Sequence, residues 1–93
     1  MNFEWDEKKN ILSQQKHGVP FEDAQYAFAD NKRIIAIDKE HGNQKEKRYF
    51  CFGKVRNEII TVRFTMRGNK IRIYGASYWR KGKKIYEKEN KIY

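Results

Sequence analysis

The chain reads as an α+β domain: two N-terminal helices, a meandering antiparallel sheet of about four strands, and a C-terminal helix. Three observations predict it. Apolar residues in the first third recur at helical spacing, the period changes to strict alternation after residue 31, and a basic, helix-like tail follows from about residue 80. No internal repeat or linker interrupts the chain, so residues 1–93 are expected to form a single domain.

The opening "FEW" can form a short strand, and Asp6 then offers a side-chain acceptor to the free N–H groups of a helix over residues 7 to 17. Gly18 ends that helix by taking the left-handed conformation, with Lys16 and His17 at the negative end of the helix dipole. In "VPFEDAQYAFADN", Phe21, Ala24 and Phe28 share one helical face. Pro20 suits the entry, Glu22 and Asp23 sit at the positive end of the dipole, and this short helix ends near Asp30-Asn31. "RIIAID" (33–38) is then a strand, "HGN" a turn, "KRYFCFGKV" (47–55) a second strand, "RN" a turn and "EIITVRFTMR" (58–67) a third. "GN" at 68 and 69 turns into "KIRIYGAS", and "YWRKGKKIYEKENKIY" supplies the final helix, weakened by Gly82.

Charge narrows the function. The chain has 21 Lys+Arg against 12 Asp+Glu, a formal +9, and such self-repulsion in a small domain points to a polyanionic partner, nucleic acid first. With 39% hydrophobic and 15% aromatic residues, the chain can still build an ordered core. Cys51, the single cysteine, excludes an internal disulfide and reads as a small buried hydrophobe. No apolar run approaches the about 18 residues of a membrane span, and the acidic, polar "MNFEWDEKKN" is unlike a signal peptide; a cytoplasmic protein without membrane contact is expected.

The hairpin "TVRFTMRGNKIRIY" gathers the charge. A two-residue turn at Gly68-Asn69 pairs residue 67 with 70, 65 with 72 and 63 with 74. Val62, Phe64, Met66, Ile71 and Ile73 then face a core, while Thr61, Arg63, Thr65, Arg67, Lys70, Arg72 and Tyr74 share the other face. Like charges on one sheet face destabilise it, which makes this a candidate RNA surface, Arg63 and Lys70 holding phosphates and Tyr74 stacking on a base. The alternative is a solvated face, or one matched by Glu87 and Glu89. The preceding hairpin has two registers: an even-length turn at Arg56-Asn57 puts Arg48, Phe50 and Phe52 on the basic face, an odd-length one Tyr49 and Cys51. Phe50 and Phe52 further suggest that helices cover part of both faces, leaving the basic site as a patch.

No metal-ligand spacing, glycine-rich phosphate loop or Ser/His/Asp arrangement occurs, and His17 and His41 lack ligand spacing, so neither metal nor cofactor is expected. The chemistry left is metal-free phosphodiester cleavage, in which the RNA 2′-OH attacks phosphorus with help from a base, an acid and cations. Lys16, His17 and Glu22 are candidates for proton transfer, Arg48, Arg67 and Arg72 for charge. His17 can equally be a helix cap, Lys16 a surface residue and Glu22 a first-turn acid. Lys81, Lys83 and Lys84 read either as an RNA-tracking run or as a solvated helix face.

Several stretches together resemble the BrnT family of type II toxins: "EWDEKKN" (4–10), "KHGVPFEDA" (16–24), Phe28 and Asp30, "KRYFCFG" (47–53), "VRFTMRGNKIRI" (62–73) and "KKIYE" (83–87), in family order. The resemblance implies a RelE-like ribonuclease that cuts RNA and arrests translation. It further implies neutralisation by a BrnA-like antitoxin whose ribbon-helix-helix domain binds operator DNA. By position it carries Lys16, His17, Arg48, Arg67 and Arg72 over as site residues and adds Tyr86. Where many members read "ISAR" this chain has "YGAS" (74–77), so Ser77 replaces an arginine; either Arg80 substitutes for it, with Lys83 beside it on the RNA-binding tail, or the activity is weakened. A non-catalytic module that binds RNA or antitoxin on the same fold is the alternative, and a DNA-binding regulator is a weaker third, since no helix-turn-helix pattern is present.

Overall fold

The computed structural model describes residues 1–92. The elements are β1 (Asn2–Trp5), α1 (Glu7–His17), α2 (Phe21–Ala24, continued by a 3-10 turn over Gln25–Ala29), β2 (Ile34–Asp38), β3 (Arg48–Val55), β4 (Glu58–Arg67), β5 (Lys70–Ser77) and α3 (Arg80–Glu89). The α+β class and the element order are as expected. The sheet holds five strands in the order β1-β5-β4-β3-β2, and β1 lies parallel to β5, so it is mixed where a purely antiparallel meander was expected. A four-residue segment separated from its partner by the whole domain carries no local signal of that pairing. No helix among the described residues is long and apolar enough to cross a membrane.

Local chemistry explains the boundaries. Asp6 caps α1 by accepting from the Lys8 amide at 2.9 Å, and Gly18 closes it at φ 71°, its N–H donating to the Gln14 carbonyl at 2.9 Å. Pro20 precedes α2 without a capping side chain, and Asn10 of α1 supplies one instead. Its Oδ1 accepts from the Phe21 amide at 2.7 Å, while its Nδ2 donates to Glu22 at 2.9 Å and Glu7 at 3.0 Å. Arg56 and Asn57 both take positive φ, 51° and 68°, the conformation of a two-residue hairpin turn whose twist matches the strands. Val55 therefore pairs with Glu58, and the even register holds: Arg48, Phe50 and Phe52 lie opposite Thr65, Arg63 and Thr61.

The second hairpin starts as expected, Arg67 opposite Lys70 and Thr65 opposite Arg72, then departs from it. A bulge puts Arg63 opposite Gly75 instead of Tyr74. The extra residue reverses the facing of everything beyond it, so Ala76 enters the core opposite Val62 and Ser77 faces outward opposite Thr61. Met66, expected in the core, is 47% exposed, because it lies at the hairpin end beyond the helices.

The core fills the space between α1–α2 and one sheet face. Val19, Phe21, Ala24, Ala27 and Phe28 meet Cys51, Val62, Phe64, Ile71, Ile73 and Ala76, with Phe3 and Trp5 of β1 closing the side. Helix α3 covers part of the opposite face, its Gly82 packed on Thr61 and Phe52. Both faces are thus partly covered, and the basic surface is a patch.

Candidate functional site

The patch lies where α3, the end of β2 and the β3–β4–β5 strands converge. Tyr86 seats α3: it is 1% exposed, and its hydroxyl donates to Asp30 Oδ2 at 2.6 Å, an oxygen that also accepts the Lys54 amide at 2.7 Å. Burial and the Asp30 carboxylate push the Tyr86 phenol up to about 12. Gly82 sets how closely α3 approaches, because a Cβ there would overlap Thr61 Oγ1 and lie 2.9 Å from two Phe52 ring carbons. Trp79, just before α3, joins an aromatic cluster with Phe50 (centroids 5.5 Å apart) and Phe52 (6.4 Å).

Beside this cluster opens a cleft of about 480 Å³. Phe50, Thr61, Arg63 and Ser77 line it from the sheet, Trp79 and Lys81 from the start of α3, and Ile37 to His41 from the end of β2 and the turn after it. Asp38 is 3% exposed. Its Oδ1 accepts the Glu40 amide at 3.2 Å and the His41 amide at 3.3 Å, and its Oδ2 lies 2.9 Å from His41 Nδ1. Along the same face, the Arg48 guanidinium stacks 4.5 Å from the centre of the Tyr74 ring. Burial raises the Tyr74 phenol, partly opposed by the Arg48 and Arg63 charges. The Tyr74 ring face on which a base was expected to stack thus already carries Arg48.

The expected site residues are distributed unevenly about this cleft. Arg63 lines it, and Arg48 and Tyr74 occupy the same sheet face alongside. Arg67 and Lys70 are exposed at the hairpin tip, Arg67 bordering a separate groove of about 410 Å³ with Lys45 and Lys47. Arg72 is half-buried and bonded through Nη1 to Glu4 Oε2 at 2.6 Å, as the parallel register dictates. Arg80 and Lys83 border a third groove, of about 560 Å³, with Lys54 and Glu87. Lys81, not Arg80, therefore shares the cleft with Ser77. No ion pair among the described residues joins Glu87 or Glu89 to the hairpin arginines.

Lys16 and His17 end α1 in the helical layer on the opposite side of the sheet, both exposed. Glu22 is tied to Asn10 on that same side. These three are not brought together with Arg48, Arg67 or Arg72. Asp38 and His41 carry no metal-ligand spacing, so their pairing is not legible as a metal site. The available signal was an Asp at a strand end with a His three residues later, a spacing that lets one carboxylate cap the turn and hold the ring.

Cations and aromatics bordering an open cleft on one face of a +9 domain fit one class, a nucleic-acid-acting α+β protein. The family can be stated too: the family model described as the ribonuclease toxin BrnT of type II toxin–antitoxin systems matches residues 5–82, and the chain belongs to that family. Its activity is that of a ribonuclease toxin, with RNA as substrate and an antitoxin as partner. The matched residues stop at Gly82, so Tyr86 lies beyond them. A search of curated proteins finds no match.

Proposed function

We propose that this toxin cleaves RNA without a metal ion, the 2′-OH beside the scissile phosphate acting as nucleophile, in the cleft between β2, β4 and α3. The observation that carries the reading is the placement of Arg63 and Lys81 at the rim of one cleft with Phe50 and Trp79. Arg63 and Lys81 bind the phosphate and stabilise the charge that grows on its oxygens during attack. Trp79 offers a flat surface for an unpaired base. Lys81 supplies beside Ser77 the positive charge that the BrnT resemblance places on an arginine. Arg48, Arg67, Lys70, Arg80 and Lys83 guide flanking phosphates, and Tyr86 acts by seating α3.

In the resting state an antitoxin of the BrnA type, with a ribbon-helix-helix DNA-binding domain, covers this cationic face. Operator DNA is reached through the antitoxin alone, and the toxin, once released from it, acts in the cytoplasm to stop translation.

Purified toxin incubated with single-stranded RNA in EDTA is expected to release fragments ending in a 2′,3′-cyclic phosphate. Arg63→Ala should slow this on the order of a hundredfold or more without lowering the melting temperature. RNA that stays intact with well-folded protein, bound in a salt-sensitive way, would overturn cleavage in favour of a binding module.

A further inference from the structure

The cleft holds a proton acceptor that neither the family match nor the cationic reading assigns. Asp38 ends β2 and is almost fully buried, yet its carboxylate is well satisfied: Oδ1 by the Glu40 and His41 amides, Oδ2 by His41 Nδ1. The two amide bonds shape the turn. The third fixes the imidazole, whose side chain is 53% exposed toward the cleft. A carboxylate can only accept, so Nδ1 of the neutral ring carries the proton and Nε2 keeps its lone pair free. A helix-end or surface histidine has no such constraint; His17, in the opposite layer, shows no side-chain partner among the described residues.

We propose that His41 is the general base of RNA cleavage and that Asp38 is the residue positioning it, an inference that rests on the cleft being the RNA-cleaving site. As O2′ forms its bond to phosphorus, His41 Nε2 takes the 2′-OH proton, and the bond between phosphorus and O5′ breaks. The departing O5′ takes a proton from water in the open cleft, and the imidazolium returns its proton to the hydroxide so formed. The products are a 2′,3′-cyclic phosphate and a 5′-OH, and no redox or metal partner enters. Arg63 and Lys81, bordering the same cleft, meet the phosphate on which charge develops.

The test uses the wild-type toxin, His41→Ala and Asp38→Asn on one single-stranded RNA in EDTA, with thermal melts on each. His41→Ala should stay folded, melting several degrees below wild type because Asp38 Oδ2 loses its partner, and should lose about 10²- to 10⁴-fold in kcat at a temperature well below that melt, the usual worth of a positioned base, with partial recovery on adding free imidazole. Asp38→Asn keeps an Oδ1 acceptor for the turn but turns an N–H₂ toward Nδ1, which moves the ring proton to Nε2. It should lower kcat at least about tenfold with KM little changed. Wild-type cleavage that His41→Ala leaves intact, or a loss that imidazole does not recover in a folded protein, would overturn the assignment while leaving the ribonuclease reading in place. Absence of cleavage by the wild type would overturn the site itself.

Discussion

Replacing Tyr86 by Phe separates an anchoring residue from a chemical one. The substitution removes one hydroxyl, which donates at 2.6 Å to Asp30, and leaves the buried ring in place. A hydrogen bond to a charged group contributes about 1.5–3 kcal/mol net. Here the low end applies, because Asp30 keeps the Lys32 amide at 2.9 Å and the Lys54 amide at 2.7 Å. A loss of about 1.5 kcal/mol lowers the melting temperature of a domain this size by roughly 6–12 °C.

The effect should depend on pH at both ends. Burial alone would raise the Asp30 carboxyl, but the Tyr86 hydroxyl, the two amides and the Lys54 charge outweigh it and hold it below 3.8. Its contribution is therefore present above that value and lost as pH falls through the lower folded one, so the wild-type advantage narrows in acid. Tyr86 titrates the other way. Raised from 10.0 to about 12, it contributes below pH 10 and loses that contribution as pH climbs towards 12, where the gap to Tyr86→Phe narrows again. Melts followed by circular dichroism across this range, with RNA cleavage measured well below the melting point, test both parts. A variant that melts with wild type at pH 7 but no longer cleaves would refute the anchoring argument and make the phenol a chemical group.

Three further outcomes are expected. Gly82→Ala adds about 1 kcal/mol of helix propensity but forces a methyl against Thr61 and Phe52, an overpacking cost of about 1–3 kcal/mol. It should unfold at lower urea and cleave RNA more slowly, because Lys81 and Trp79 move with the helix; greater stability would contradict the close approach. Cys51, fully buried and pushed up to about 12 by that burial, should alkylate at pH 8 on the order of a hundredfold more slowly in the native protein than in urea, read by mass spectrometry. A double-mutant cycle on Glu4→Gln and Arg72→Ala should return a coupling of about 0.5–1 kcal/mol that shrinks with salt, and a coupling of zero would argue against the 2.6 Å pair.

Legibility followed the range of the interaction. Caps, turns and periods are local, so Asp6, Gly18, the Gly68-Asn69 turn and the strands at 58–67 and 70–77 could be placed from neighbouring residues alone. The bulge at Tyr74 could not, since it answers the need to bring Ala76 back over the core, and it moved Ser77 into the cleft. Alternation places Arg72 among the candidate phosphate ligands but cannot show its bond to Glu4, 68 residues away in sequence. The parallel pairing of β1 with β5 brings the two together.

By itself the sequence determined the α+β class, the excess of positive charge and its concentration on the central hairpin, the buried Cys51 and the family to which the chain belongs. These follow from composition, from periods of two and 3.6 residues, and from motifs in order, none of which depends on how the elements pack. Tertiary structure alone decided which cations share a cleft: Lys39, Arg63 and Lys81 do, while Arg72 is tied to Glu4, Arg67 stands at the hairpin tip, and Lys16 and His17 belong to the opposite layer. Facing depends on register, and a single extra residue reverses it. Convergence depends on how closely a helix can approach a sheet, which here turns on one glycine at position 82.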